Sequence, residues 1–179
     1  MRNTPKNAIT PTMEDYLEVI FNLSNEKGAV RVRDIARKLE VKMPTVTNML
    51  KILSERGLID YEKYEYLALT KKGKSVGQEI DRRHQILRRF LTNILRIDFD
   101  EADEDACKME HAISPTTLKA LVDFMKFIEN CPRGGSSWLS YFNEYRDQEQ
   151  SKGKCLERMR QFAQEYNEKI KEMEKIKRE

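Results

Sequence analysis

Residues 32–53, VRDIARKLEVKMPTVTNMLKIL, decide the fold. Val32, Ile35, Ala36 and Leu39 fall at i, i+3, i+4 and i+7, the stripe of a short amphipathic helix. Glu40-Val41-Lys42-Met43 interrupts the stripe. Pro44 then suits the first turn of a second helix, where its missing N–H has no partner to lose. Val46, Met49, Leu50 and Leu53 make the buried face of that helix, and Gly57 ends it. Two short helices, a tight turn and a small Ala36 at the crossing predict a helix-turn-helix. The opposite face carries Thr45, Thr47, Asn48 and Lys51, short polar and basic groups suited to base edges and phosphates, and Pro44 at the helix start is counted with them as a DNA-contact candidate. A plain helical hairpin with a solvated face fits the same pattern.

The surroundings favour the first reading. Residues 27–56 hold eight Lys/Arg against three acids, and Arg31, Arg33, Lys42 and Lys51 are the cations expected at DNA. Downstream, Leu58–Tyr61 and Tyr66–Leu69 are β-prone runs joined by Glu62-Lys63-Tyr64-Glu65, which predicts a hairpin and hence a winged helix-turn-helix. Lys63 at its tip, with Lys71, Lys72 and Lys74 beyond it, is placed to meet phosphates. Upstream, Thr10-Pro11-Thr12 marks a helix start. Tyr16, Leu17, Ile20, Phe21 and Leu23 give that helix an apolar stripe and Gly28 ends it. Asp15 and Glu18 share a different face. Solvated acids near a helix N-terminus need no further role, because the helix dipole favours them there.

After the wing, Thr70 can cap a long helix from about Lys72 to Arg96. Its apolar face runs through Val76, Ile80, Leu87, Leu91 and Ile94, more than a small head covers. It predicts an all-helical second domain, packed across a dimer interface. Ser114-Pro115 opens another helix, to about residue 129. A break follows at Cys131-Pro132-Arg133-Gly134-Gly135, then a short helix over 137–149. The last segment repeats in sevens through Leu156, Met159, Ala163, Tyr166, Ile170 and Met173. Self-pairing and packing back on the second domain both fit that repeat. The reading is a mainly α chain in three parts: a winged helix-turn-helix over 1–75, a helical metal-binding and dimerisation domain over 76–132, and a helical C-terminal extension over 133–179.

Metal enters through Cys107-Lys108-Met109-Glu110-His111. In a helix, Cys107, Glu110 and His111 at i, i+3 and i+4 present a thiol, a carboxylate and an imidazole within one turn. A mixed S/O/N set suits a borderline divalent transition ion better than calcium or magnesium. A buried Cys beside a surface Glu-His pair has the same spacing. Asp98 to Asp105 supplies six acids and no base just before the motif, a stretch suited to cations.

Composition bounds the rest. Net charge is +3, so the patches carry the message rather than the average. No apolar run approaches a membrane span and the first residues form no signal-peptide core, so a cytoplasmic protein with no membrane partner is expected. Three widely spaced cysteines make no disulfide framework, and Cys131 and Cys155 lack metal-knuckle spacing. There is no His-Glu-x-x-His motif and no Gly-rich phosphate loop, which argues against a metallohydrolase.

In combination these stretches resemble the diphtheria-toxin-repressor family of metal-dependent transcriptional repressors and its manganese-transport-regulator branch. The likeness is carried by Met13 to Glu18, Pro44 to Asn48, Leu67 to Lys74, Arg83-His84 and Ala106 to Ser114, across roughly residues 10–130. It implies a homodimer that binds a palindromic double-stranded operator when a divalent metal is present. It implies Asp15, Glu18, His84, Cys107, Glu110 and His111 as ligands, with the ion clasping the DNA-binding head to the dimer core. Asp15 with Glu18 fits the manganese branch and Cys107 the iron branch. The softer thiolate leads us to expect Fe2+ as activator, with Mn2+ able to substitute. Arg88 stands where the iron branch has a carboxylate ligand of an ancillary site, and a guanidinium cannot ligate. The chain is therefore expected to be a repressor of metal-uptake genes, not an enzyme. The rival reading is a winged-helix regulator answering to an organic ligand or to thiol oxidation.

Overall fold

Thr10 sets the start of the first helix. Its hydroxyl accepts from the Met13 N–H at 3.4 Å, and α1 runs Pro11–Lys27. Gly28, at φ 73°, closes it in the left-handed region that favours glycine. The computed structural model describes residues 9–61, 67–130, 135–147 and 152–176. They fall into two compact units, one formed by Met1–Arg89 with Asp98–Ile113, the other by Phe90–Ile97 with Ser114–Glu179.

In the first unit, α2 (Val32–Lys38) and α3 (Met43–Glu55) form the helix-turn-helix. The helix starts at Met43, one residue before Pro44, which sits in its first turn. Glu40 turns the chain at φ 54°, and the Val41 N–H donates to the Ala36 carbonyl at 3.0 Å. The wing pairs β1 (Ile59–Asp60) antiparallel with β2 (Ala68–Leu69), Ile59 facing Leu69. Val30 bridges Leu67 and so ties the wing to the start of α2. The wing tip, with Lys63, lies outside the described residues. Leu17, Ile20, Ile35, Leu50, Leu53, Leu58 and Ile80 are fully buried together and form this unit's core.

α4 (Lys71–Arg89) is held at its start by Thr70, whose hydroxyl donates to the Gly57 carbonyl at 2.8 Å and accepts from the Gly73 N–H at 3.1 Å. Two glycines let α4 lie close. A Cβ on Gly73 would stand 1.8 Å from the Leu58 carbonyl oxygen, and one on Gly77 2.8 Å from Phe21 Cβ. The expected single helix to Arg96 changes character at Arg89. Phe90–Ile94 is a π-helical turn, with the Leu95 N–H on the Phe90 carbonyl at 3.2 Å, and Arg96 at φ 53° ends it. α5 (Phe99–Glu110) then lies along α4, with Ala102 and Ala106 fully buried.

In the second unit, α6 (Pro115–Asn130) buries Leu118, Met125 and Ile128, while Leu121 and Val122 are half-buried. Ser114 caps it, accepting from the Thr117 N–H at 3.1 Å. Phe124 meets Phe90 edge to face at 6.5 Å. α7 (Gly135–Asp147) packs on α6, and Arg146 donates to the Leu95 carbonyl. α8 (Lys152–Ile176) leaves Leu156 and Met159 exposed, and Phe162 stacks on Tyr166 at 6.0 Å. Cys131 lies outside the described residues. No helix among those described is long and apolar enough to cross a membrane.

Candidate metal centre

Three helices bring the expected ligands together. α1 carries Asp15 and Glu18 one turn apart. α4 carries His84, and α5 ends in Cys107 and Glu110 with His111 as its C-cap. Asp98 starts α5, its carboxylate accepting from the Asp100 N–H at 3.0 Å, and the acids of that first turn sit at the positive end of the helix dipole.

All six side chains meet in the first unit, as two sets of three rather than one ring. Asp15, Cys107 and His111 offer donor atoms within 4.8 Å of one another, and so do Glu18, His84 and Glu110. Successive helical residues point about 100° apart, so Glu110 and His111 turn to opposite sides of Cys107. Glu110 joins the sets. Its Oε2 lies 2.9 Å from His84 Nδ1, and its Oε1 lies 3.6 Å from His111 Nε2. His84 Nδ1 also stands 3.9 Å from Glu18, and His111 Nε2 stands 2.8 Å from Asp15 Oδ1. That last pair is close enough for charge attraction but makes no hydrogen bond. Glu110 Oε1 and His111 Nε2 are thus buried polar atoms without hydrogen-bond partners. Such atoms are costly in a protein interior. The two donors converge where a cation would satisfy both, so the residues fit a divalent ion. A groove of about 580 Å3 is lined by four of the six residues, Asp15, Glu18, His84 and Cys107, together with Arg88 and Asp103.

The electrostatics follow from this crowding. Burial, and then the Glu110 charge, push the Glu18 carboxyl up to about 7. The hydrogen bond to Glu110 lifts His84 to about 9 against the cost of burial. Burial works against the His111 cation, yet the Glu14 hydrogen bond and the Asp15 and Glu110 charges raise it overall. Burial, and then the Glu110, Asp15, Glu18 and Asp103 charges, push the Cys107 thiol up to about 11. Each of these four groups is thus shifted toward its protonated form in the metal-free site.

Three participants escaped the sequence reading. Glu14 Oε2 lies 2.7 Å from His111 Nδ1, and Arg83 stands beside that carboxylate at 3.8 Å. Asp103 Oδ1 lies 3.0 Å from His84 Nε2 and 2.7 Å from Arg88 Nη1. Burial would raise the Asp103 carboxyl, but those two contacts hold it below the usual carboxylate range. Arg88, expected to exclude an ancillary ion, therefore pairs with an acid of the Asp98–Asp105 run. No sequence signal links Glu14 to His111, 97 residues away.

On the helix-turn-helix, Arg31, Arg33, Lys42, Pro44, Thr45, Asn48 and Lys51 are exposed, and Thr47 is half-buried with its hydroxyl donating to the Met43 carbonyl at 3.1 Å. Val46, Leu50 and Leu53 face the core.

Known proteins match along most of this arrangement. The family model of the iron-dependent repressor N-terminal DNA-binding domain matches residues 8–67, and that of the iron-dependent repressor metal-binding and dimerisation domain matches 70–139. α8 lies beyond both. The HTH-type transcriptional regulator MntR of Bacillus pumilus (strain SAFR-032) is 40% identical over 120 residues, 67% of this chain and 83% of that protein. Among solved structures, the manganese regulator SloR is 33% identical with a TM-score of 0.58, covering 68% of this chain and 56% of its own. A manganese-dependent transcriptional repressor in complex with manganese is 28% identical with a TM-score of 0.59, covering 64% and 53%. The chain thus spans little more than half the length of these two solved proteins.

Proposed function

The chain belongs to the iron-dependent repressor family of metal-dependent transcriptional regulators, and on that premise we propose that it is a metal-activated repressor of metal-uptake genes. Its family is one of transcriptional regulators with DNA-binding and dimerisation domains, and it is not an enzyme. The ligands of this reading are Asp15, Glu18, His84, Cys107, Glu110 and His111. The observation that carries it is the pair of orphaned buried donors, Glu110 Oε1 and His111 Nε2, at the junction of the two donor sets.

A bound ion supplies the positive charge that lets these carboxylates share one site. The chain's own residues do the rest. Asp15 and Glu18 belong to α1, in the segment matched by the DNA-binding model, whereas His84, Cys107, Glu110 and His111 belong to the segment matched by the metal-binding and dimerisation model. An ion held by both joins α1 to α4 and α5. In the homodimer that would fix the spacing of two recognition helices, which must suit half-sites about one helical turn, ~34 Å, apart on a palindromic operator. We keep 1–75 as the DNA-binding head, 76–132 as the metal-binding and dimerisation segment and 133–179 as a helical extension. A repressor works where the DNA is, in the cytoplasm.

For the ion we favour Mn2+ over the Fe2+ expected from Cys107. The relatives do not support an iron preference, and the solved ones quoted above are named for manganese. Five of the six donors are oxygen or nitrogen. The one sulfur is a thiol that burial and then the neighbouring carboxylates push up to about 11 in the metal-free site, so its ionisation costs more than that of an unperturbed thiol. Equilibrium dialysis against Mn2+ and Fe2+, followed by DNA selection with and without the bound ion, tests the proposal. Metal binding with no effect on DNA binding would sink it.

A further inference from the structure

The chain has two histidines, and their surroundings follow one plan. Each ring turns one nitrogen toward the donor sets and the other toward an outer carboxylate. His111 faces Asp15 and Glu110 with Nε2, while its Nδ1 lies 2.7 Å from Glu14. His84 faces Glu18 and Glu110 with Nδ1, while its Nε2 lies 3.0 Å from Asp103. Behind each carboxylate stands an arginine of α4. Arg83 is 3.8 Å from Glu14, and Arg88 is 2.7 Å from Asp103. Both arginines are anchored elsewhere as well. Arg83 donates to the Glu110 carbonyl at 3.2 Å, at the end of α5, and the Arg88 guanidinium lies 5.0 Å above the Phe99 ring.

We infer that Glu14 and Asp103 are positioning residues, each backed by an arginine of α4, and that they commit His111 to the ion through Nε2 and His84 through Nδ1. This rests on the metal reading above and assigns roles to residues outside its six ligands. A neutral imidazole has one N–H and one lone pair. A carboxylate that accepts from the outer N–H leaves the lone pair on the inner nitrogen, and it holds the ring plane against rotation. The arginines have a second effect. Two more carboxylates near four acidic or thiol donors would add repulsion, and each guanidinium offsets one of them. Because Arg83 and Arg88 lie on the same helix as His84, α4 orders the outer partners of both rings.

The test uses the whole chain loaded with Zn2+, which is diamagnetic. Long-range 1H–15N spectra report, for each ring, which nitrogen carries hydrogen and which is bound to metal. With two histidines, a single replacement assigns both rings. We expect His111 to carry its hydrogen on Nδ1 and His84 on Nε2. The opposite pattern at either ring would overturn the inference. In parallel, Glu14→Ala and Asp103→Ala should each lower Zn2+ affinity about 10- to 100-fold. Glu14→Gln and Asp103→Asn keep an acceptor oxygen and should recover part of that loss. Affinities within twofold of the unsubstituted chain in both alanine variants would also overturn it. Absence of Zn2+ binding by the unsubstituted chain would sink the metal reading itself, and the inference with it.

Discussion

Glu110 Oε1 and His111 Nε2 face each other across 3.6 Å, and neither has a hydrogen-bond partner. They come from neighbouring residues at the end of α5, and among the described residues of this unit no other buried side-chain nitrogen or oxygen lacks a hydrogen-bond partner. A bound ion would satisfy both, and binding to the folded state alone stabilises it, by about 2.7 kcal/mol at a free concentration a hundred times Kd. Saturating Mn2+ should therefore raise the melting temperature. Glu110→Gln should remove most of that rise, because the amide loses the charge that bridges the donor sets. Melting curves with and without Mn2+ check this, and an equal rise in the variant would take Glu110 out of the site.

The raised acids and histidines set the pH response. The folded state lifts His84 from 6.5 to about 9, so its contribution to stability is complete below 6.5 and lost as pH rises through 9. Glu18 is lifted from 4.5 to about 7, so its contribution is complete below 4.5 and likewise lost as pH rises, through 7. The metal-free protein should lose stability from about pH 5 to pH 9. Bound ions must displace the same protons, so Mn2+ affinity should rise over that range. Denaturant midpoints in chelator and Mn2+ titrations at pH 6 and pH 8.5 measure the two trends. A metal affinity independent of pH would contradict the assignment of these groups.

Cys107 is the one soft donor. Cys107→Glu replaces a soft thiol, pushed up by burial, with a harder carboxylate. The variant should respond to Mn2+ at lower concentration than the unsubstituted chain, and its response to Fe2+ relative to Mn2+ should fall. Anaerobic titrations of both ions against both proteins give the comparison. An unchanged ratio would mean that the sulfur does not touch the ion.

At the DNA face, Asn48 and Lys51 stand exposed on α3. Asn48→Ala should relax sequence preference at one position and cost ~1–3 kcal/mol on the preferred site, since an amide can pair bidentately with adenine. Lys51→Ala should weaken all sequences alike and lessen the dependence on salt. Competition binding at several salt concentrations separates the two effects. If Asn48→Ala kept the preferred sequence and its affinity, α3 would not be the reader.

Much of this was legible in the chain because periodicity reports on one helix at a time. The stripes through Val32 and Leu39 and through Val46 and Leu53 fixed α2 and α3, while Thr10 and Gly28 marked the ends of α1, Thr70 the start of α4 and Ser114 that of α6. Relations between helices left weaker traces. Gly73 and Gly77 look like flaws in α4 until Leu58 and Phe21 are seen against them. The change to a π-helical turn at Phe90 leaves the apolar spacing almost intact, so the sequence reads as one helix. Glu14 reads as one more acid of a helix N-terminus, and only the packing of α1 brings it to His111. The motif Cys107-x-x-Glu110-His111 announced donors, but their division into two sets depends on the α1 and α4 residues across from each.

The central claim is that Asp15 and Glu18 convert ion binding into DNA binding. If they merely decorate α1, Asp15→Asn with Glu18→Gln should leave DNA affinity unchanged or slightly better, because two carboxylates in the DNA-binding half would, if anything, repel phosphate. If they clasp the ion, the variant should still dimerise and keep some metal affinity through His84, Cys107, Glu110 and His111, yet lose the metal-driven gain in DNA binding. A ligand shifts a conformational equilibrium only by its difference in affinity for the two states, and these two carboxylates supply that difference. The measurement is fluorescence anisotropy of a duplex selected with the unsubstituted chain and Mn2+, recorded with and without saturating Mn2+ for both proteins. The account predicts a large gain for the unsubstituted chain and little or none for the double variant; equal gains would contradict it.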